Sequence, residues 1–326
     1  MIVTTSVRES DWRNLLRAVD DPNVFQSPEM AHVFQESEGY RSLVLGALRQ
    51  DQLLALLSVA IINYGPRGLP VVGTRTVATG GPIGDPAAFP ILTDRLDQLL
   101  SKSSELVQFR NLRPPSDVAS MLSRGYEWQD HLNYVVKIEK GEESVLKGMS
   151  KGRRYNIRLA ERDGVSLVEL TPERIGDAYR MLEETYKRAR MPLARISLFQ
   201  RAHEVLAPRG KLWALGAIRE GTLCAAIFVL SWDGTAFNWY NGSTDLGWRT
   251  HANEWLVWQS MRVAMEHGCV RYDLGGAGRP GSVYGPGEFK KHFGGVEINP
   301  GRFEKRYHPW ISRLTSSALG LWRDIR

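Results

Sequence analysis

The chain has 326 residues, of which 43% are hydrophobic and 24% are charged, and its formal net charge is +6. This length predicts two domains, the composition is that of an ordinary soluble protein, and the positive charge favours anionic partners. The 2 cysteines, Cys224 and Cys269, lie in separate apolar runs. They provide neither a disulfide framework nor the spacing of metal ligands.

Three features of the sequence bear on where the protein is located. The N-terminal sequence has no apolar region typical of a signal peptide, and the longest apolar run, residues 53–62, is too short to cross a bilayer. We therefore expect a cytoplasmic protein without a transmembrane segment. Residues 311–322 are predicted to form a C-terminal amphipathic helix, which packs on the core or, alternatively, makes a peripheral membrane contact.

Helices and strands are predicted in an α+β order along the chain. Ser27 and Pro28 are typical of a helix N-cap and first-turn proline, and polar turns separate the apolar runs that predict strands. The predicted helices cover residues 27–37, 87–101, a segment opened by the prolines at 114–115, then 145–162, 172–190, 197–206, 253–266 and 311–322. The predicted strands cover 43–48, 53–62, 106–109, 134–138, 211–218, 223–231, 235–241 and 270–274. The glycine-rich residues 275–287 are predicted as a long loop, either mobile or wrapped around a ligand.

An internal repeat relates the two halves. Residues 43–59 align with residues 213–229 without a gap, and each copy is a predicted strand–turn–strand that follows a helix with an Ala-His pair. We interpret the repeat as a duplication that produced two α/β domains of similar fold, in preference to a chance likeness of two apolar hairpins. The boundary is predicted at residue 140, giving domains 1–140 and 141–326. The shared positions are Leu45, Gly46, Ala47, Arg49, Leu53, Ala55 and Val59, which recur as Leu215, Gly216, Ala217, Arg219, Leu223, Ala225 and Val229.

A basic helix is predicted at the boundary between the domains, over residues 145–162. Five basic side chains follow one another at helical spacing, which puts them on one face, and a sixth lies beside them. Like charges at this spacing repel one another unless water or an anion compensates them. The face is therefore either a solvated helix surface or a groove for a polyanion, a phosphorylated carrier or RNA. The six residues are Lys147, Lys151, Arg153, Arg154, Arg158 and Arg162.

Five strings in order resemble the markers of the FemAB-type aminoacyltransferases, which belong to a wider group of tandem GNAT-like proteins. They are Phe25-Gln26-Ser27-Pro28, Leu132-Asn133-Tyr134-Val135-Val136, KGRRYNIRLAERDGV, YDLGG and FKKHFGG, the last three beginning at 151, 272 and 289. The resemblance covers nearly the whole chain. It implies two tandem GNAT-like domains, each a mixed, mainly antiparallel sheet flanked by helices, with the active site in the second. No segment has the sustained heptads of the helical arm found in some members, so no coiled-coil arm is expected.

The resemblance also implies a reaction. Fem-type enzymes move an aminoacyl group from aminoacyl-tRNA to an amine and form an amide, which requires no metal and no redox cofactor. The barrier lies in orientation, amine deprotonation and the tetrahedral oxyanion. In FKKHFGG, Lys290 with Phe289 matches the family position thought to hold the tRNA acceptor end and to stabilise that charge. The alternative is a surface lysine beside a core phenylalanine.

The resemblance and the spacing suggest further contacts with the substrates. Arg188 could bind a phosphate or carboxylate of the acceptor through two hydrogen bonds, and Arg190 is equally plausible by spacing. Asp273 could act as a base, although a carboxylate in that position more often caps a loop or pairs with an arginine. The remaining candidates for substrate binding are Tyr240, Asn241 and His292.

Two departures from the patterns leave the substrates open. An acetyltransferase of this fold holds the CoA pyrophosphate on backbone N–H groups of a glycine-rich helix start. The corresponding residues 245–252 contain one glycine and two bulky side chains, which argues against CoA. No lysine of the first half can be matched to the family's contact with a UDP-linked precursor. The acceptor is therefore either a peptidoglycan precursor or a small-molecule amine such as an antibiotic.

Three functions are compatible with these sequence features. The first is the tRNA-dependent aminoacyltransferase, in which the basic face binds tRNA. It predicts that charge reversal at Lys151 and Arg154 weakens binding of the donor and reduces its dependence on salt. The second is an acyl-CoA-dependent N-acyltransferase in polysaccharide or envelope biosynthesis. The third is a non-catalytic RNA- or anion-binding relative.

Overall fold

The computed structural model describes residues 1–65, 71–115, 117–281 and 284–309. The predicted C-terminal helix at 311–322 lies outside these residues. The helices are α1 (Glu9–Ala18), α2 (Pro28–Glu36), α3 (Phe89–Leu100), α4 (Val118–Ser123), α5 (Gly141–Gly148), α6 (Lys151–Arg162), α7 (Ile175–Arg188), α8 (Ile196–Leu206), α9 (Asp245–Arg249), α10 (Ala252–Glu266) and α11 (Gly285–Lys291). Within the described ranges no helix has both the length and the apolarity to span a membrane.

The strands form two sheets and complete the α+β fold. They are β1 (Ile2–Thr4), β2 (Tyr40–Arg49), β3 (Gln52–Asn63), β4 (Thr74–Thr79), β5 (Ile83–Gly84), β6 (Leu106–Arg110), β7 (Glu127–Gln129), β8 (Leu132–Lys137), β9 (Ser166–Glu169), β10 (Leu212–Arg219), β11 (Thr222–Trp232), β12 (Thr235–Ser243), β13 (Arg271–Gly278), β14 (Val296–Ile298) and β15 (Arg302–Arg306).

The two sheets have the same design. The first has the order β1-β2-β3-β4-β6-β15-β7, with β5 beside β3, and the second has the order β14-β8-β13-β12-β11-β10-β9. In each, an antiparallel meander is followed by one parallel pair, β4 with β6 and β12 with β13. Helices α2 and α3 contact the first sheet, and α7 and α10 contact the second. Buried apolar side chains of α3 cluster with those of the first sheet, and those of α10 cluster with those of the second.

The predicted duplication is visible in the hairpins. The β2–β3 ladder has an irregularity between Ala47 and Leu48, and the β10–β11 ladder has one between Ala217 and Ile218, 170 residues later. The glycine before each irregularity lies under a leucine: a Cβ on Gly46 would approach Leu53 to 2.9 Å, and one on Gly216 would approach Leu223 to 2.6 Å. The two copies therefore share the same local packing as well as the same sequence positions.

The last strand of each repeat lies in the sheet of the other repeat. β7 and β14 occupy equivalent places, and so do the strands that follow them, β8 and β15. However, β15 inserts between β6 and β7, and β8 inserts between β13 and β14. The exchange places the unit boundaries away from the predicted boundary at 140. The first compact unit comprises Met1–Asp130 with the chain from Pro300 onward, and the second is His131–Asn299.

The basic segment forms two helices, so the prediction of one helix over 145–162 was wrong. Helix α5 ends at Gly148, and the Ser150 hydroxyl accepts a hydrogen bond from the Arg153 N–H and caps the start of α6. The Arg154 guanidinium donates to the carbonyl oxygens of Leu146, Lys147 and Met149 at the end of α5. Lys147 therefore does not continue the basic face of α6.

Two further predictions differ from the structure. Asp117, and not the prolines before it, caps α4 through a hydrogen bond from the Ser120 N–H. The glycine-rich residues 275–287 are not one long loop, because Gly278 still belongs to β13 and α11 begins at Gly285. The elements that the sequence did not predict are short or lack an alternating pattern, namely β1, α1, β4, β5, β7, β9, α9, α11, β14 and β15.

Candidate active site

The candidate site lies where two parallel strands of the second unit separate. Strands β12 and β13 pair only over Thr235–Phe237 and Arg271–Asp273. Beyond these residues β12 remains paired with β11, and β13 with β8. The separation leaves an opening at the carboxyl ends of both strands, a position where α/β sheets commonly bind ligands.

A buried carboxylate and a half-buried amine lie beside this opening. Asp273 is 5% exposed, and burial raises the pKa of its carboxyl group to about 6 despite a 2.7 Å hydrogen bond from the Gly275 N–H. Burial lowers the pKa of the Lys290 amine to about 8, and the nearby Asp273 charge opposes that shift. The Lys290 Nζ donates a 2.7 Å hydrogen bond to the Gly276 carbonyl oxygen. Both groups therefore titrate close to neutral pH, as acid–base and electrostatic groups of active sites do.

Glycines in YDLGG allow this close arrangement. Gly275 has φ +75°, a conformation that favours glycine, and its N–H turns back to Asp273. A Cβ on Gly276 would lie 2.5 Å from the His131 Nε2. Asn133, which belongs to another marker string, directs its amide towards both Asp273 carboxylate oxygens at 3.4–3.5 Å. Asn133 belongs to a string that resembles a family marker, but nothing in the sequence predicted its contact with Asp273.

The residues just before the marker string KGRRYNIRLAERDGV pack against the marker string FKKHFGG. The Ser150 N–H donates to the His292 carbonyl oxygen over 3.1 Å. A Cβ on Gly294, where φ is +77°, would lie 2.4 Å from the Gly148 carbonyl oxygen, so only glycine fits there. These contacts attach α11, which carries Lys290, to the start of α6.

Arg153 completes this attachment and is not a solvent-facing cation. It is 6% exposed, and its guanidinium lies 4.4 Å from the ring centroid of Phe289 and 4.3 Å from that of Phe293. Its Nη2 donates a 2.9 Å hydrogen bond to the Phe289 carbonyl oxygen, and its Nη1 lies 3.2 Å from Glu254. Burial lowers the pKa of Arg153 to about 10. Phe289 therefore holds Arg153 and positions the neighbouring Lys290.

The fold agrees with comparisons to known proteins. Residues 148–291 match the family model described as an acetyltransferase (GNAT) domain. The crystal structure of FemX superposes with a TM-score of 0.72 at 12% identity, covering 96% of this chain and 99% of FemX. The protein has the Fem-type tandem GNAT fold. Among curated protein sequences none matches this chain at a significant level.

Other solved structures share this fold at similarly low identity. A tandem GNAT protein from the clavulanic acid biosynthesis pathway has a TM-score of 0.61 and 12% identity, with coverage of 92% of this chain and 94% of that one. The C-terminal domain of a putative lysylphosphatidylglycerol synthetase from Agrobacterium fabrum has a TM-score of 0.58 and 13% identity, with coverage of 95% and 96%. The Fem-type tandem GNAT fold therefore occurs in proteins of different descriptions.

The GNAT-type opening brings together only some of the predicted substrate contacts. Tyr240 lies on β12 beside the opening, but its ring packs against Tyr186 and Phe199 at 5.6 and 4.8 Å. Burial and the neighbouring phenols raise the pKa of Tyr186. Asn241 donates to the Asn253 side chain over 3.1 Å. These side chains shape one wall of the site.

The remaining predicted contacts are either paired with nearby protein groups or exposed. Arg188 donates to Asp245 over 2.7 Å and to the Ser243 carbonyl oxygen over 3.0 Å, so local acceptors already occupy its guanidinium. His292 is exposed at the end of α11. Arg158, Arg162, Lys147 and Lys151 are exposed. The described residues include no group of three or more His, Cys, Asp or Glu side chains arranged to hold a metal ion.

Proposed function

We propose that this protein is an acyltransferase that moves an aminoacyl group from aminoacyl-tRNA to an amine and forms an amide. The observation that carries the proposal is the half-buried Lys290 amine, whose charge interacts with that of buried Asp273 where β12 and β13 separate. A cation at this position supports stabilisation of a developing oxyanion, because a charge in a buried site acts more strongly than one in water.

The proposed step is a direct transfer. The acceptor nitrogen attacks the ester carbonyl carbon of the donor, a C–N bond forms, and the bond from that carbon to the ribose oxygen breaks. The acceptor proton passes to the leaving ribose oxygen through the substrate's own hydroxyl. The Lys290 ammonium balances the negative charge on the carbonyl oxygen, and Asp273 keeps that ammonium charged. The step requires neither a metal nor a redox cofactor.

The helix starts beyond β12 favour RNA over CoA as the donor. Asp245 lies in the first turn of α9 and Glu254 in the first turn of α10. Each carboxylate already lies at a helix start and pairs with an arginine, Asp245 with Arg188 and Glu254 with Arg153, so a diphosphate would have to displace it. The exposed cations of α6 instead offer contacts for an extended polyanion.

A second candidate is an acyl-CoA-dependent N-acyltransferase that acts in polysaccharide or envelope biosynthesis. The description of the matching family model, an acetyltransferase domain, favours it. The acceptor is an amine in both cases, either on a peptidoglycan precursor or on a small molecule. The cytoplasmic location expected from the sequence suits either donor.

A single-turnover transfer assay separates the candidates. The protein is mixed with bulk tRNA charged with radiolabelled amino acids and, in parallel, with labelled acyl-CoA, each with a panel of amines. We expect label to leave tRNA and to appear in an amide, and Lys290→Met to reduce that rate about a hundredfold or more. Transfer from acyl-CoA alone would refute the tRNA proposal. An unchanged rate for Lys290→Met, with its fold verified by circular dichroism, would refute the role of Lys290.

A further inference from the structure

Two exposed aromatic side chains lie among cations near the candidate site. Tyr155 on α6 is 57% exposed, and Trp248 on α9 is 71% exposed. Placing such large rings in water forgoes the free energy that their burial would supply. A single exposed aromatic residue needs no explanation, but here each ring has cationic neighbours at helical spacing or next in sequence.

The exposed face of α6 is basic and aromatic. Lys151 precedes Tyr155 by one turn, and Arg158 follows it by one turn, so all three share a face. The apolar residues Ile157 and Ala160 face the core and are buried. None of the fully exposed side chains on this helix is aliphatic.

Trp248 lies just beyond the end of β12 that borders the opening. Strand β12 ends at Ser243, and α9 follows directly, so Trp248 and the exposed Arg249 lie beyond the same carboxyl end at which β12 and β13 separate. Helix α10 then begins, and its Glu254 contacts two α6 residues, Arg153 at 3.2 Å and Asn156 at 3.4 Å. The α10 start therefore connects the two elements that carry the exposed rings.

We propose that Tyr155 and Trp248 are stacking platforms for unpaired nucleotides at the 3′ end of an RNA, with Lys151, Arg158 and Arg249 contacting its phosphates. Cations alternating with exposed rings suit a single strand, because every base has a face that can stack while the backbone carries regular charge. This inference rests on the proposed function and specifies how its donor is held. A membrane surface fits less well, because the one aliphatic side chain beside Tyr155 on α6, Leu159, is half-buried, and the exposed side chains around it are charged.

Binding to two RNA hairpins tests the platforms without any transfer reaction. The hairpins share one stem, and one of them ends in an unpaired 3′ ACCA while the other is blunt. We expect the full protein to bind the first more tightly, and Tyr155→Ala and Trp248→Ala each to weaken that binding at least about fivefold. Binding of the blunt hairpin should stay within about twofold of wild type, and Tyr155→Phe should retain the wild-type preference.

Tyr64→Ala is the matched control. Tyr64 is 44% exposed in the first unit and lies 5.8 Å from the Arg75 guanidinium, so it also combines an exposed ring with a cation. The control should leave both affinities unchanged. Equal binding of the two hairpins by wild-type protein, or no loss in either alanine variant, would overturn the platforms.

The membrane alternative has its own measurement. Vesicles of phosphatidylcholine with phosphatidylglycerol serve as the probe, and Trp248→Ala is compared with wild type. Vesicle binding that depends on Trp248, together with no preference between the hairpins, would replace RNA by a membrane surface. If both hairpins bind with equal affinity and the binding depends on salt, the proposed stacking by Tyr155 and Trp248 is wrong. The proposed RNA donor would remain compatible with that result.

Discussion

The Nη2 atom of Arg153 donates a hydrogen bond of 2.9 Å to the carbonyl oxygen of Phe289, the residue before Lys290. The same guanidinium lies 4.4 Å from the ring centroid of Phe289 and 4.3 Å from that of Phe293. It therefore contacts two aromatic rings and a backbone carbonyl oxygen at once, a combination that lysine cannot reproduce. We infer that Arg153 positions Lys290, because its burial leaves it unable to serve as the predicted ligand for an external anion.

Arg153→Lys is expected to disturb Lys290 while keeping the charge next to Glu254. We predict that kcat falls about 10- to 100-fold with little change in KM, because a misplaced charge weakens stabilisation of the transition state more than binding of the substrate. The midpoint of Lys290 titration, followed by NMR on isotopically labelled lysine, should also move. Arg158→Lys, on the exposed face of the same helix, is the control. Identical kinetics and an unchanged titration in Arg153→Lys would rule out positioning.

The titrations of Asp273 and Lys290 predict a bell-shaped pH profile. The lysine must be charged to stabilise an oxyanion, so kcat/KM should fall as the pH rises through about 8, and loss of the Asp273 charge should lower it below about 6. The acceptor should be an amine that is already neutral across this range, so that its own titration does not contribute. In Lys290→Met the alkaline limb should disappear. A rate that instead rises through pH 8 in wild type would identify Lys290 as a base.

Charge reversal on α6 should reduce the dependence of RNA binding on salt. Lys151→Glu and Arg158→Glu are each expected to weaken binding and to lower the slope of log K against log salt by about 1, because each removes one phosphate contact. Lys102→Glu, an exposed lysine of the first unit, changes the net charge equally and should leave the slope near the wild-type value. Equal slopes in all three variants would indicate a general effect of charge and no basic face.

Arg154 is expected to behave differently from its neighbours. Its guanidinium caps the end of α5 by bonding three carbonyl oxygens. Arg154→Ala should therefore lower the free energy of unfolding by about 1–2 kcal/mol, as loss of a charged hydrogen-bonding group does. Urea denaturation measures this change, with Arg162→Ala as the exposed control. If Arg154→Ala kept the wild-type stability but made RNA binding less dependent on salt, Arg154 would instead be a contact for RNA.

Asp97 is expected to hold the C-terminal strand in the first unit. Its carboxylate accepts hydrogen bonds from the hydroxyls of Tyr126 and Tyr307 and lies 2.6 Å from the Lys305 Nζ on β15. Asp97→Ala should lower the free energy of unfolding by about 2–4 kcal/mol, because it leaves three buried or half-buried donors without this acceptor. Asp94→Ala removes the exposed pair with Arg124 and should cost less than about 1 kcal/mol. Equal losses of unfolding free energy in Asp97→Ala and Asp94→Ala would contradict a stabilising role for the Asp97 network.

The sequence determined the features that depend on neighbouring residues or on repetition. Ser27 predicted its helix because its hydroxyl accepts from Met30, three residues away. The repeat predicted two copies of one hairpin because alternation and turn residues act within a single ladder. The resemblance added Lys290, whose functional role remains a prediction.

Only the tertiary structure decided which repeat each last strand joins and which basic residues remain free. β8 and β15 pair across the repeats, and Arg153 meets Phe289 across 136 positions of the chain. Spacing on a helix identifies residues that share a face, but burial depends on which element packs against that face. Spacing predicted Arg153 and Arg154 as members of one basic surface. In the structure Arg153 packs against two phenylalanine rings and Arg154 caps a helix, because α5 ends at Gly148, α6 begins at Lys151, and α11 packs against the start of α6.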